Sequence, residues 1–109
     1  MGIETVDEKI HIRGYKMKFK IRLCDEVTIN EVEGTAFRIG RFHFFIFKDK
    51  TSWNVSEVKT GMAFNPPFGF STKKEAIRAT GEALKRIGDE KLLEAIDFYI
   101  QRFGILIEV

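Results

Sequence analysis

The chain has 109 residues and 44% hydrophobic content, which is enough for one domain with one compact core. Its single cysteine, Cys24, excludes an intramolecular disulfide and a cysteine-based metal site, and is typical of a reducing compartment. The net charge of +2 is too small to indicate nucleic-acid binding by itself. The N-terminal stretch contains Glu4, Asp7 and Glu8, unlike a signal peptide, and no apolar run reaches membrane length, so we expect a cytoplasmic protein.

The first predicted strand carries a basic face. Residues 16–23 alternate strictly between cationic and apolar side chains, and this period of two is typical of a strand with one buried face. The cationic set, called the basic strand below, is Lys16, Lys18, Lys20 and Arg22. Clustered cations on a rigid sheet can contact an anionic partner, but lysines also protect sheet edges from aggregation. The sequence leaves both interpretations open.

Further strands are predicted up to residue 64. Turn signals at residues 25–26, Gly34, Gly40 and residues 48–52 divide this part of the chain, and the last of them suits a hairpin loop. The strands between these turns are expected at residues 27–32, 35–39, 42–47, 53–58 and, as a short one, 62–64. Residues 65–69 contain two prolines, which exclude this segment from the middle of a sheet.

The apolar run 42–47 determines which face of the sheet is covered. A symmetric hairpin loop would pair Phe47 with Trp53 and Phe45 with Val55. We expect the helices to cover the even-numbered side of the run and to leave the odd-numbered side partly open. Because both sides are apolar, the run is either a central strand covered on both faces or a strand with one aromatic side against a partner.

Two helices follow, each with start and stop signals. Thr72 and Glu75 form a capping-box pattern, and Gly88 suits the left-handed position after a helix. Asp89 is expected to cap the second helix. Apolar residues recur at helical spacing in both segments, so each helix is expected to bury one face.

These elements predict an α+β fold: a mainly antiparallel sheet of four or five strands followed by two C-terminal helices packed on one face. We expect a single domain over residues 1–109, strand-rich over 10–64, with helices at about 73–87 and 90–103 and a terminal strand at 105–109. The core is expected to include Phe19, Phe45, Trp53, Ile77, Leu84, Ile96 and Phe103.

The segment 41–47, with the sequence RFHFFIF, resembles the aromatic ribonucleoprotein pattern of RNA-recognition domains. In such domains aromatic side chains on the sheet stack on bases, at about 1–3 kcal/mol each. The resemblance implies contacts from Arg41 and stacking by Phe42 and Phe44, with Trp53 also available. The alternative is that these phenylalanines form the core, since phenylalanine is usually an interior residue.

A second resemblance covers roughly residues 53–84. It rests on Trp53-x-Val55-Ser56, Thr60-Gly61 and Thr72-Lys73-Lys74-Glu75-Ala76. These segments are similar to small uncharacterised α+β proteins of phages and mobile elements, and to the arm-binding N-terminal domains of tyrosine integrases. In those domains a small antiparallel sheet enters DNA, which implies a DNA-contacting role for the basic strand.

Signals for catalysis and metal binding are weak. His11 and His43 are the only histidines and lack zinc-ligand spacing. Asp25 and Glu26 follow Cys24 and would disfavour its thiolate form. No phosphate-binding loop, dinucleotide fingerprint or nucleophile elbow occurs. We therefore expect a non-enzymatic protein with no catalytic residue, no metal site and no cofactor.

Phe98 lies off the apolar stripe of the second helix, on a polar face with Glu94 and Arg102. A phenylalanine in such a position is often a subunit contact. We expect a homodimer, formed either through Phe98 and Arg102 or through the aromatic sheet face, because the apolar side chains exceed what one layer of helices can cover.

Two functions of different classes fit the sequence. The first is a small protein-interaction or structural module, homo-oligomeric, with no membrane contact and no small-molecule ligand indicated. The alternative is an accessory protein that binds nucleic acid through the basic strand and aromatic residues, the candidates being Lys16, Lys18, Lys20, Arg22, Arg41, Phe42, Phe44 and Trp53. Acids interleaved among the cations favour the first function, whereas a contiguous basic and aromatic surface favours the second.

Overall fold

A computed structural model describes residues 10–22, 28–64 and 69–107. The α+β prediction is confirmed: an antiparallel sheet is followed by two helices. The elements are β1 (Ile10–Arg22), β2 (Ile29–Ile39), β3 (Phe42–Asp49), β4 (Ser52–Glu57), α1 (Lys73–Ile87) and α2 (Asp89–Phe103). The expected turn at residues 25–26 and most of the proline segment lie outside the described residues.

The sheet is a meander, in which each strand pairs with the next in the order β1-β2-β3-β4. The expected break at Gly34 does not occur, because β2 runs through it as one strand. Gly40 forms the turn to β3 with a φ of +60°. The β3–β4 turn includes Lys50 with a φ of +56°, a backbone conformation that few non-glycine residues adopt.

The β1–β2 hairpin is bent in its middle. Three residues of β1 lie opposite one residue of β2 between the pairs Ile12–Phe37 and Lys16–Thr35, and such a bulge bends and twists a strand. On β2 the bend passes Gly34, where an added Cβ would lie 2.5 Å from the carbonyl oxygen of Ile46. Residues 29–34 pair with β1 alone, so this far half of the hairpin extends beyond β3.

The helices cover one face of the sheet, called the first face. Phe37, Phe44 and Ile46 from the strands pack there in one cluster with Ile77 of α1 and Ile96 of α2. Trp53 is half-buried and packs against the edge of this cluster. The expected helix layer over the even-numbered side of β3 is therefore confirmed.

The opposite face, called the second face, is covered by the bent hairpin. The ring of Phe19 stacks on the ring of Phe45 with centroids 4.4 Å apart and planes within 5°. Phe19 belongs to β1 and Phe45 to β3, so this contact forms only because the hairpin folds over the sheet. The second face is partly open, as expected, at His43 and Phe47, which are half-buried, but it is closed at Phe45, which is fully buried. At Phe45, β3 is therefore a central strand covered on both faces.

The β3–β4 register differs by one residue from the symmetric pairing. Ile46 lies opposite Val55, and Lys48 lies opposite Trp53. Because one residue of slip exchanges the two faces of a strand, Val55 and Trp53 join the first face instead of the second.

The helix boundaries agree with the sequence marks within one residue. The Thr72 hydroxyl accepts a hydrogen bond of 3.1 Å from the Glu75 backbone N–H, as the capping-box pattern predicts. Gly88 ends α1 with a φ of +89° and also occupies the N-cap position of α2. The expected cap by Asp89 is wrong, because Asp89 is already the first helical residue.

The segments that flank the helices contain little regular structure. Residues 62–64 contribute a single bridge from Ala63 to Ser56 rather than a strand. Residues 105–107 form no strand, and the last two residues of the expected terminal strand lie outside the described part. Phe103, expected in the core, is half-buried.

Candidate interaction surfaces

The lysines of the basic strand are exposed, and two of the three lie opposite carboxylates. The sheet register places Lys18 opposite Glu33 and Lys20 opposite Glu31. The Lys18 ammonium also lies 3.9 Å from Glu31, with both side chains more than half exposed, so this ion pair adds at most about 1 kcal/mol. Acids therefore alternate with cations across the two strands, and the lysines form no continuous positive surface.

Arg22 has a structural position instead of the surface role expected for it. Its side chain is only 9% exposed. The guanidinium donates to the carbonyl oxygens of Thr60 at 2.9 Å and of Phe103 at 2.9 Å, and lies 5.2 Å from the centroid of the Phe103 ring. The hydrogen bonds of Arg22 thus connect the end of β1 to the end of α2, and its side chain is not exposed for contact with a nucleic acid.

The aromatic candidates on β3 are buried. Phe42 is 3% exposed and Phe44 is fully buried, so neither ring can stack on a base. The core interpretation of the segment 41–47 is the one that the structure supports. Arg41 is exposed in the β2–β3 turn, apart from these rings.

Trp53 and Lys16, two of the candidate residues, line the same cleft. This cleft has a volume of about 610 Å³ and also contains Lys48 and Glu33. The Lys48 ammonium lies 5.7 Å from the centroid of the Trp53 ring, a cation–π distance. Glu33 and Asp49 line the cleft with the lysines, so its charge is mixed.

The outer side of α2 carries a patch of three aromatic rings, called the aromatic patch. Phe98 is 57% exposed and meets the edge of Tyr99 at 5.7 Å between centroids. Tyr99 stacks in turn on Phe103 at 5.9 Å. Arg102 is exposed beside the patch, with its guanidinium 5.6 Å from the centroid of the Phe103 ring.

The second face carries a set of cations that the sequence did not indicate. His11, Arg38 and His43 are direct cross-strand neighbours on β1, β2 and β3, and they are called the cationic row. They line a cleft of about 660 Å³ together with Arg13 and Tyr15. The row depends on strand register and on a β1 that begins at Ile10, whereas the alternation marks β1 only from about residue 15.

No group of three or more histidine, cysteine or acidic side chains that could hold a metal ion occurs within the described residues, 10–22, 28–64 and 69–107. Within the same residues, neither helix is long and apolar enough to cross a membrane. Comparison with protein-family models, with curated proteins and with solved structures finds no match to this chain.

Proposed function

We propose that this protein is a non-enzymatic interaction module that assembles as a homodimer through α2. The observation that carries the proposal is the aromatic patch, in which Phe98 is exposed and contacts the ring of Tyr99, which in turn stacks on Phe103. Aromatic residues and arginine are the types that contribute most to protein interfaces.

The charges around Phe98 support an antiparallel pairing of two α2 helices. Glu94 and Arg102 lie four residues before and four residues after Phe98, and both are exposed. With Phe98 on a twofold axis, Arg102 of one copy faces Glu94 of the other, and the contact occurs twice. A twofold interface needs such self-complementarity.

The first test is the mass of the Phe98→Glu variant in sedimentation velocity or light scattering. The wild type is expected to be a dimer and the variant a monomer with unchanged circular dichroism, because a carboxylate would be buried at the centre of the interface. Ile87→Glu, the same kind of change at an exposed position of α1, should leave the dimer intact. A monomeric wild type at high concentration would refute the proposal.

Charge reversal tests the orientation of the helices. Glu94→Arg alone and Arg102→Glu alone each place like charges together and should weaken the dimer several-fold, whereas the double variant should recover it. Additive weakening in the double variant would exclude the antiparallel arrangement.

The alternative function, nucleic-acid binding by the basic strand, has weaker support because carboxylates lie opposite Lys18 and Lys20 and because Phe42 and Phe44 are buried. We expect fluorescence anisotropy at low salt to show no binding of single- or double-stranded DNA or RNA at about 0.1 mM, the weak end of non-specific affinity. Binding that falls with salt, and whose salt slope Lys18→Gln/Lys20→Gln reduces by about two contacts, would instead establish the alternative.

A further inference from the structure

The cationic row places an arginine between two histidines on adjacent strands, which is unusual where no carboxylate of the described residues pairs with the arginine. Arg38 is permanently charged, and its neighbours on both sides, His11 and His43, become cations when protonated. When the histidines are protonated, like charges lie directly opposite on adjacent strands, and such pairs destabilise a sheet. Within the described part of the chain, Arg38 forms no ion pair with a carboxylate. A bound anion would relieve this repulsion.

The cleft over the row combines a basic wall with an apolar floor. Arg13 and Tyr15 stand at its side, with the guanidinium 3.4 Å from the phenol oxygen. The apolar part of the lining includes Phe19, Val58 and Ile107. No acidic residue lines the cleft among the residues described, and its volume of about 660 Å³ lies within the range of small-molecule sites.

The buried carboxylate near the cleft is that of Glu57, and its hydrogen-bond partners lie in the turn after β4. Glu57 accepts hydrogen bonds of 2.9 Å from the backbone N–H groups of Lys59 and Thr60 and one of 2.7 Å from the Thr60 hydroxyl. Its carboxylate therefore holds the turn after β4, and although its charge acts on His43, Glu57 does not line the cleft.

The cations that line the cleft form one compact cluster and do not continue as an extended positive groove. A strand of nucleic acid needs a positive groove that follows its backbone over several nucleotides. Beyond the bend of β1 the next cation, Lys16, lines a different cleft, and Lys18 and Lys20 lie opposite Glu33 and Glu31, so the positive surface ends there. The compact grouping of the cations and the apolar floor fit a compact ligand better.

We propose that this cleft binds a small organic anion, with its acidic group held by Arg13, Arg38 and the two histidines and its apolar body against Phe19, Val58 and Ile107. This ligand site is separate from the aromatic patch of α2.

The proton equilibrium of His43 gives the site a pH dependence. Burial lowers the pKa of His43 below its ordinary value of 6.5. The charged and titratable groups around it are His11 and Arg13 from β1, Arg38 from β2, and Glu57 and Lys59 from β4 and the turn after it. Arg38, Lys59 and Arg13 also lower this pKa, and Glu57 opposes them. An anion favours the protonated imidazole, so its affinity should rise as the pH falls toward the lowered pKa of His43.

The test uses the fluorescent probe 8-anilinonaphthalene-1-sulfonate, whose sulfonate stays ionised across this pH range, and its neutral analogue N-phenyl-1-naphthylamine. Arg38→Gln should weaken binding of the sulfonate about tenfold, the loss expected for one charge-assisted contact, and leave binding of the neutral probe unchanged. Arg78→Gln, at an exposed position of α1, is the matched control and should change neither. In the wild type the sulfonate should bind more tightly at pH 5.5 than at pH 7.5, and His43→Gln should reduce that difference.

Equal affinities of Arg38→Gln and Arg78→Gln for the sulfonate would overturn the proposal, as would a wild type that does not bind it at about 1 mM, a concentration well above ordinary ligand affinities. Tighter, Arg38-dependent binding of a single-stranded oligonucleotide than of either probe would also overturn it, because the row would then serve nucleic acid. Circular dichroism of each variant separates loss of binding from loss of fold.

Discussion

Two neighbouring cations on the same side of β1 have opposite environments. Lys20 is exposed, whereas Arg22, two residues later, is buried. Alternation in the sequence predicts that both side chains share a face, and it predicts nothing more. The burial of Arg22 depends on carbonyl groups of Thr60 and Phe103, which lie 38 and 81 residues further along the chain. No local pattern can indicate partners at such separations.

Replacement of Arg22 should therefore cost far more stability than replacement of Lys20. Arg22→Gln removes charge-assisted hydrogen bonds to buried carbonyls, and we expect a loss of about 2 to 4 kcal/mol in the free energy of unfolding. Lys20→Gln should change it by less than about 0.5 kcal/mol, as surface substitutions usually do. Urea denaturation of both variants measures the difference. Similar values for the two would contradict the structural role of Arg22.

Among the elements, the helices were the easiest to predict and the hairpin the hardest. The helix ends follow from local chemistry, such as the Thr72 hydroxyl at the start of α1 and the glycine at its end. The bend of the β1–β2 hairpin comes from a bulge and from close contact of Gly34 with β3, which is a tertiary property. From the sequence alone Gly34 predicts a turn, because a close contact with β3 is not visible there. In the structure it lies inside a continuous strand.

The bend should be sensitive to a single methyl group. Gly34→Ala places a Cβ 2.5 Å from the backbone oxygen of Ile46, and we expect a loss of about 1 to 3 kcal/mol, the usual range for overpacking. In Gly81→Ala, the same change in α1, the new Cβ meets the terminal methyl groups of Ile10 at 3.3 Å and of Ile39 at 4.0 Å, and the helix gains about 1 kcal/mol of propensity. Thermal or urea unfolding should show Gly34→Ala destabilised and Gly81→Ala near wild type. The reverse order would mean that the hairpin is not bent against β3.

At the scale of the whole molecule, β3 is shared by two apolar clusters. Phe42, Phe44 and Ile46 belong to the first-face cluster under the helices, and Phe45 belongs to the second-face cluster under the hairpin. The apolar run predicted the helix layer over one face of β3. It did not predict what covers the other face, because a strand of the same chain and a partner subunit are both compatible with an apolar surface. The exposed position of Phe98 was predictable from helical spacing, whereas the cationic row required the register of three strands.

Because one strand carries both clusters, the two sides of the sheet should unfold together. Phe45→Ala removes the ring that stacks on Phe19, and the loss is expected to be about 3 to 5 kcal/mol, as for other buried phenylalanines. Trp53 packs against the opposite cluster, so its fluorescence reports on the first face, while circular dichroism reports on the whole chain. Both signals should shift to lower urea by the same amount in Phe45→Ala, as a two-state transition requires.

Ile29→Ala, at an exposed position of β2, is the control and should shift neither. If the Trp53 signal kept its wild-type midpoint while circular dichroism was partly lost, the bent hairpin would be an independent unit, and the two clusters would not form one cooperative core.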